Sequence, residues 1–127
     1  MTPIKIAVQG QRAALLSTDD LVAGTVGQKC KFFFDDSWQS LTKTIAFRIG
    51  NTIVATGTIN ESNEILLPSK ALVNAGFPLE IGLTGYTKDN TLVIPTSWCY
   101  IGYVQDSAFG HTSNPNAAII YDGGVIV

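Results

Sequence analysis

A chain of 127 residues with a formal net charge of −2 fits one domain, long enough to bury about two-thirds of its unfolded surface. Only 14% of its residues are charged and 46% are hydrophobic, whereas roughly 25% charged is usual for a soluble domain. This balance excludes electrostatic attraction to nucleic acid or to an anionic membrane, and no apolar run approaches the ~20 residues of a membrane helix. Several apolar residues fall outside any core pattern, so part of the surface is expected to be covered by neighbouring subunits.

In chain order, Met1-Thr2-Pro3-Ile4-Lys5 leads straight into a strand-like pattern with no extended apolar signal region. Ile4, Ile6 and Val8 alternate with Lys5 and Ala7, which predicts a first strand ended by Gly10. Ala13 to Leu16 reads either as a second strand or as a short helical turn, followed by the loop-like cluster Ser17-Thr18-Asp19-Asp20. Thr25 to Phe34 predicts a strand with Val26, Gln28, Cys30, Phe32 and Phe34 facing inward and Lys29, Lys31 and Phe33 outward. Phe33 is then left over, to pack under the next loop or to sit in an interface. In the polar loop from Asp35 to Leu41, Trp38 either plugs one end of the core or contacts a partner.

Ile45, Phe47 and Ile49 oppose Thr44, Ala46 and Arg48 in the next strand. Gly50-Asn51 is a two-residue hairpin signal, with Ile53 to Ile59 returning. Asn60 to Asn63 reads as a second turn and Glu64 to Leu67 as a third strand, so the three are expected to pair as a meander. Pro68 to Gly76 predicts the one helix, of one or two turns, with Ser69 as N-cap and Gly76 in the left-handed position that ends it.

Leu79, Ile81 and Leu83 alternate with Glu80, Gly82 and Thr84 in a half-buried strand. Lys88-Asp89-Asn90 supplies a turn, and Leu92, Val93 and Ile94 restart the chain until Pro95, which removes a backbone donor. Trp98, Tyr100 and Ile101 continue a β-rich run. Gln105 to Asn116 is polar and irregular. Ala117 to Tyr121 and Val125 to Val127 are apolar runs split by Asp122-Gly123-Gly124, expected to pair with a sheet edge of the same subunit or of a neighbour. The organisation is thus a β-domain over 1–104 and a polar loop with a terminal strand over 105–127.

The stretch from Ala75 to Trp98 reads A-G-x-x-L-x-I-G-L-x-G-Y, then D-N-T-L-V-I-P-T-x-W, from Ala75, Gly76, Leu79, Ile81 to Leu83, Gly85, Tyr86, Asp89 to Thr96 and Trp98. It resembles the N-terminal β-domain of tail and baseplate proteins (baseplate upper protein-like) in phages and prophages of Gram-positive bacteria. Weaker likeness runs back to about Thr44, so roughly half the chain is covered. In such proteins a small β-domain anchors the polypeptide to the particle and a longer distal part follows. The resemblance implies a structural motif without catalytic residues, in a tail, baseplate or neck protein, with a capsid decoration or head-fibre base equally open.

The chemistry-bearing residues are sparse. His111 is the only histidine, and the adjacent Thr112 and Ser113 do not make a triad. Gly82-Leu83-Thr84-Gly85 lacks the lysine and helix of a phosphate loop; these glycines are expected to relieve crowding where a large side chain or a bulge passes over the strand. Asp35-Asp36 reads as a solvated turn rather than a calcium site, and Cys30 and Cys99 as separate buried thiols rather than a disulfide or zinc site.

The sequence therefore predicts an all-β antiparallel sandwich, jelly-roll or immunoglobulin-like, of about eight strands and one short helix. The function expected is that of a non-enzymatic structural protein of a bacteriophage virion, made in the bacterial host cytoplasm. It would use no cofactor or metal, touch neither nucleic acid nor membrane, and join other phage structural proteins as a homo-oligomer, a trimer or hexamer. Its candidate interface comprises Phe33, Trp38, Trp98, Tyr100, Tyr103, Ile119, Ile120, Tyr121, Val125, Ile126 and Val127. The alternative is a carbohydrate-binding module for host surface glycans, with Trp38, Tyr86, Trp98, Tyr100 and Tyr103 as its aromatic residues.

Overall fold

The alternation of Ile4, Ile6 and Val8 places all three side chains in the core of β1 (Ile4–Gln9). Gly10, at φ +56°, turns the chain into β2 (Arg12–Ser17), which resolves the ambiguity at Ala13 to Leu16 in favour of a strand. The computed structural model describes residues 1–108 of the chain. β3 (Lys29–Phe34), β4 (Thr42–Ile49), β5 (Thr52–Thr58), β6 (Glu64–Leu66), β7 (Pro78–Tyr86), β8 (Val93–Pro95) and β9 (Cys99–Tyr103) follow. They form two sheets, one ordered β2-β1-β3-β6 and the other β5-β4-β7, with β8 and β9 both on the far edge of β7. The fold is an all-β sandwich.

The inner faces meet in one core. Ile4, Ile6, Val8, Cys30 and Phe32 come from the first sheet, and Ile45, Phe47, Leu79, Ile81, Leu83, Cys99 and Ile101 from the second. Burying each large aliphatic or aromatic side chain contributes about 1.5–3 kcal/mol, so this layer is the main stabilising term. Gly57 of β5 admits Ile65 of β6 between the sheets: a Cβ there would lie 2.8 Å from Ile65 Cδ1.

Most pairs are antiparallel, but β1 and β3 run parallel, Ile4 opposite Cys30 and Val8 opposite Phe34. The expected three-strand meander does not form. β4 and β5 make the hairpin through Gly50 and Asn51, both at positive φ (+51° and +73°), the conformation that suits a tight turn to right-twisted strands. β6 then leaves that sheet and pairs with β3, Cys30 opposite Ile65. Ile59 is buried at the crossing, and Asn60 Oδ1 accepts the Glu64 N–H to shape the turn (3.0 Å).

Two local expectations are corrected. Val26 is 78% exposed, because Gly27 at φ +89° interrupts the alternation before the strand starts at Lys29. Gln28 stays buried, its Nε2 donating to the Thr2 and Lys29 carbonyls. The predicted helix is a single 3-10 turn, Ser69–Leu72, preceded by Pro68 as its extended N-terminal residue rather than capped by Ser69. Gly76 does adopt positive φ (+91°), and its N–H donates to the Val104 carbonyl (2.8 Å). Gln105 also belongs to the described body, donating to the Leu21 carbonyl and accepting from the Ala23 N–H.

Candidate functional site

The two tryptophans are placed by two glycines on opposite faces of β7. Gly85 faces inward, and a Cβ on it would lie 2.7 Å from Trp38 Cζ3. Trp38 follows Asp35, whose Oδ1 accepts the Ser37 N–H and starts a 3-10 turn over Asp36–Trp38. The indole is fully buried, donates from Nε1 to the Gly10 carbonyl (2.7 Å) and packs against Phe34. Trp38 therefore plugs the core and leaves the set of candidate interface residues: no face of its ring reaches the surface.

Gly82 faces outward, and a Cβ there would lie 3.2 Å from Trp98 Cε3 and Cζ3. The chain reaches this position through an interruption between β8 and β9. Pro95 ends β8, and Thr96 completes the local bonding with its N–H on the Leu83 carbonyl (2.8 Å) and its Oγ1 accepting the Leu83 N–H (3.0 Å). The Ser97 N–H reaches the Gln11 carbonyl of the β1–β2 turn. Trp98 is thereby brought over β7 on the outer face of the second sheet, 37% exposed.

Around it the outer face carries one charge pair. Arg48 of β4 and Glu80 of β7 are register partners, with Nε 2.9 Å and Nη2 2.7 Å from the same Oε1. The guanidinium also lies over the Trp98 ring, 4.1 Å from its centroid, a separation at which ring and cation attract. Next to Trp98 the sheet surface falls into a groove of about 250 Å³, lined by Thr44, Thr56, Thr84, Thr96 and Trp98 together with Ile45, Ala46, Ile53, Gly82 and Leu83. Among the described residues no charged side chain lines it. Tyr100, opposite Glu80, and Tyr103, opposite Pro78, continue an aromatic row along the β9 edge, each 55% exposed.

The candidate interface residues are thus divided. Trp98, Tyr100 and Tyr103 share the outer face of the second sheet, whereas Phe33, 47% exposed, stands on the outer face of the first. Ile119, Ile120, Tyr121, Val125, Ile126, Val127 and His111 lie outside the described residues. Arg48, Glu80 and the threonine row were not singled out from sequence. Their signal was the run of small or hydroxyl side chains at outward positions of β4 and β7, broken by one cation and one anion.

Other polar clusters are structural. A second hollow, about 380 Å³, holds Asp35, Asp36, Glu61 and Lys43. There the Ser37 hydroxyl, helped by the Gly10 and Ser37 N–H groups, holds the Asp35 carboxyl below its ordinary value. Asp89 is lowered in the same way by Thr87 and then Thr91, closing the turn before β8. Cys30 and Cys99 are both free and buried, and burial pushes the Cys30 thiol up to about 12. Among the described residues no three His, Cys, Asp or Glu side chains converge as metal ligands, and no helix is long and apolar enough to cross a membrane.

No protein-family model, no curated protein and no solved structure matches this chain.

Proposed function

We propose that this chain is a non-enzymatic structural protein of a bacteriophage particle, acting through protein–protein assembly. Its place is a tail, baseplate or neck, or a capsid decoration or head-fibre base, and it associates with copies of itself as a trimer or hexamer. The family assignment rests on the pattern from Ala75 to Trp98. The observation that carries an assembly role is the outward apolar surface of a body whose core is already filled. Phe33 and Leu66 stand out from the first sheet, and Val93, Tyr100 and Tyr103 from the second, each about half exposed. Large apolar side chains on both faces of a sandwich with few charges suit surfaces covered by neighbours.

The open sheet edges support the same reading. Among the described residues β5 and β6 are each paired on one side only, with β4 and β3. Such edges present free backbone donors and acceptors to another chain. Protein mass spectrometry of particles purified from the source bacterium after prophage induction tests the virion assignment. The chain is expected in fixed stoichiometry with the other particle proteins; its absence from intact particles would refute the assignment.

A further inference from the structure

The outer groove beside Trp98 differs from the rest of the apolar surface in being hydroxylated, uncharged and walled by one aromatic ring. We propose that it binds a neutral oligosaccharide, with Trp98 as the stacking surface and the threonine row as hydrogen-bonding partner.

The floor of the groove is built from small residues beside the indole. Ala46 and Gly82 are register partners on the two central strands, and Trp98 rests on Gly82, where a Cβ would lie 3.2 Å from its ring. Thr44 and Thr84 form the next pair on the same face, and Thr56 lies opposite Ala46 on β5. These side chains put hydroxyl groups around a shallow depression of about 250 Å³. The Thr96 hydroxyl accepts the Leu83 N–H, which leaves its own proton to donate (3.0 Å). The Thr44 hydroxyl already donates to the Thr84 carbonyl (3.4 Å). A purely aliphatic partner would cover the Thr56 and Thr84 hydroxyls without bonding them, at about 1–3 kcal/mol for each one left unsatisfied. A polyhydroxylated ligand returns those bonds while its apolar face lies against the part of the indole that Gly82 and Arg48 leave exposed.

Trp98 is held ready for that contact. The Arg48 guanidinium lies over its ring, and Glu80 fixes the guanidinium through two hydrogen bonds, so little side-chain freedom is left to lose on binding. Both bonds fall on Glu80 Oε1. The pair cancels its own charge, so nothing in the groove selects an anionic or cationic ligand.

The test uses the full-length chain, labelled with 15N, and three neutral probes: cellohexaose, maltohexaose and N-acetylchitohexaose. At least one is expected to shift the Trp98 indole N–H resonance saturably. Trp98→Ala abolishes that binding and Thr56→Val weakens it several-fold, whereas Phe33→Ser on the opposite sheet leaves it unchanged. Trp98 lies outside the core, and a dispersed spectrum confirms that each variant is folded. The proposal is overturned if none of the probes shifts the resonance at millimolar concentration, or if binding survives Trp98→Ala. It is equally overturned if a heparin hexasaccharide binds more tightly than every neutral probe, or if the groove resonances move with protein concentration alone, which would assign the face to a second copy. None of these readouts depends on whether the chain is found in virus particles.

Discussion

The indole of Trp38 occupies the space that a side chain on Gly85 would need. A Cβ at Gly85 would approach Trp38 Cζ3 to 2.7 Å and Cε3 to 2.8 Å, closer than carbon atoms tolerate. Trp38 has no direction in which to yield, since it is fully buried, bonded to the Gly10 carbonyl and packed on Phe34. Gly85→Ala is therefore expected to destabilise the fold by about 1–3 kcal/mol, as overpacking of a filled core does. Gly82→Ala meets Trp98 at 3.2 Å, a milder overlap with a ring that is 37% exposed, and its cost is expected to be smaller. Urea denaturation of the two variants beside the parent chain measures the difference. An equal loss for both would contradict this view of β7.

The role of Gly82 and Gly85 was legible in sequence because a strand pattern that spends glycine at two positions needs a reason for it. The alternation in β1 and β7 and the Gly50-Asn51 turn were legible for the same local reason: each is set by neighbours in the chain. The pairing of β6 with β3 was not legible. Glu64 to Leu66 has the same short apolar pattern whichever sheet it joins, and the choice is made by the burial of Ile59 at the crossing and of Ile65 against Gly57. The phase of β3 was legible, with Gln28, Cys30 and Phe32 inward, but its start was not: Gly27 at positive φ keeps Val26 outside a strand that begins at Lys29. The Arg48–Glu80–Trp98 arrangement joins β4, β7 and the segment between β8 and β9, and becomes visible only once the pairing of these elements is known.

The side chain of Arg48 should restrain Trp98. Because Trp38 is sealed in the core, Trp98 supplies the fluorescence accessible to a soluble quencher. Arg48→Ala removes the cation over the ring and leaves Glu80 without its partner. Acrylamide quenching is expected to rise, with stability lowered by about 1–3 kcal/mol, because the pair is only 20% and 23% exposed and Glu80 is left without its donor. Unchanged quenching would show that Gly82 and the β8–β9 path alone hold the indole.

The titration of three groups gives the fold opposite sensitivities at the two ends of the pH scale. Asp35 and Asp89 are held below the ordinary carboxylate value of 3.8 by bonds to their charged forms. Their contribution is complete above 3.8 and is lost as pH falls through their lower folded values. Cys30 is raised from 9.0 to about 12 by burial of the thiol. Its contribution is complete below 9.0 and is lost as pH rises from 9.0 towards 12, because the unfolded chain then gives up the proton first. Urea midpoints are expected to fall on both sides, with Asp35→Asn flattening the acid limb and Cys30→Ala the alkaline one. Both limbs unchanged in those variants would contradict the assignment.

Neither thiol should be open to reagents in the folded protein. Cys30 is 1% exposed and Cys99 6%. Ellman's reagent at neutral pH is expected to label neither thiol until urea unfolds the chain, then to label both.

The central claim, that this sandwich works by associating through outward apolar side chains, is tested most directly by light scattering of the purified full-length chain over a range of concentrations. The expected molar mass is three or six times the 13.6 kDa of one chain. It should fall in a variant carrying Phe33→Ser and Leu66→Ser while the fold persists. A mass that stays at 13.6 kDa across the whole range would contradict self-association as the basis of its function.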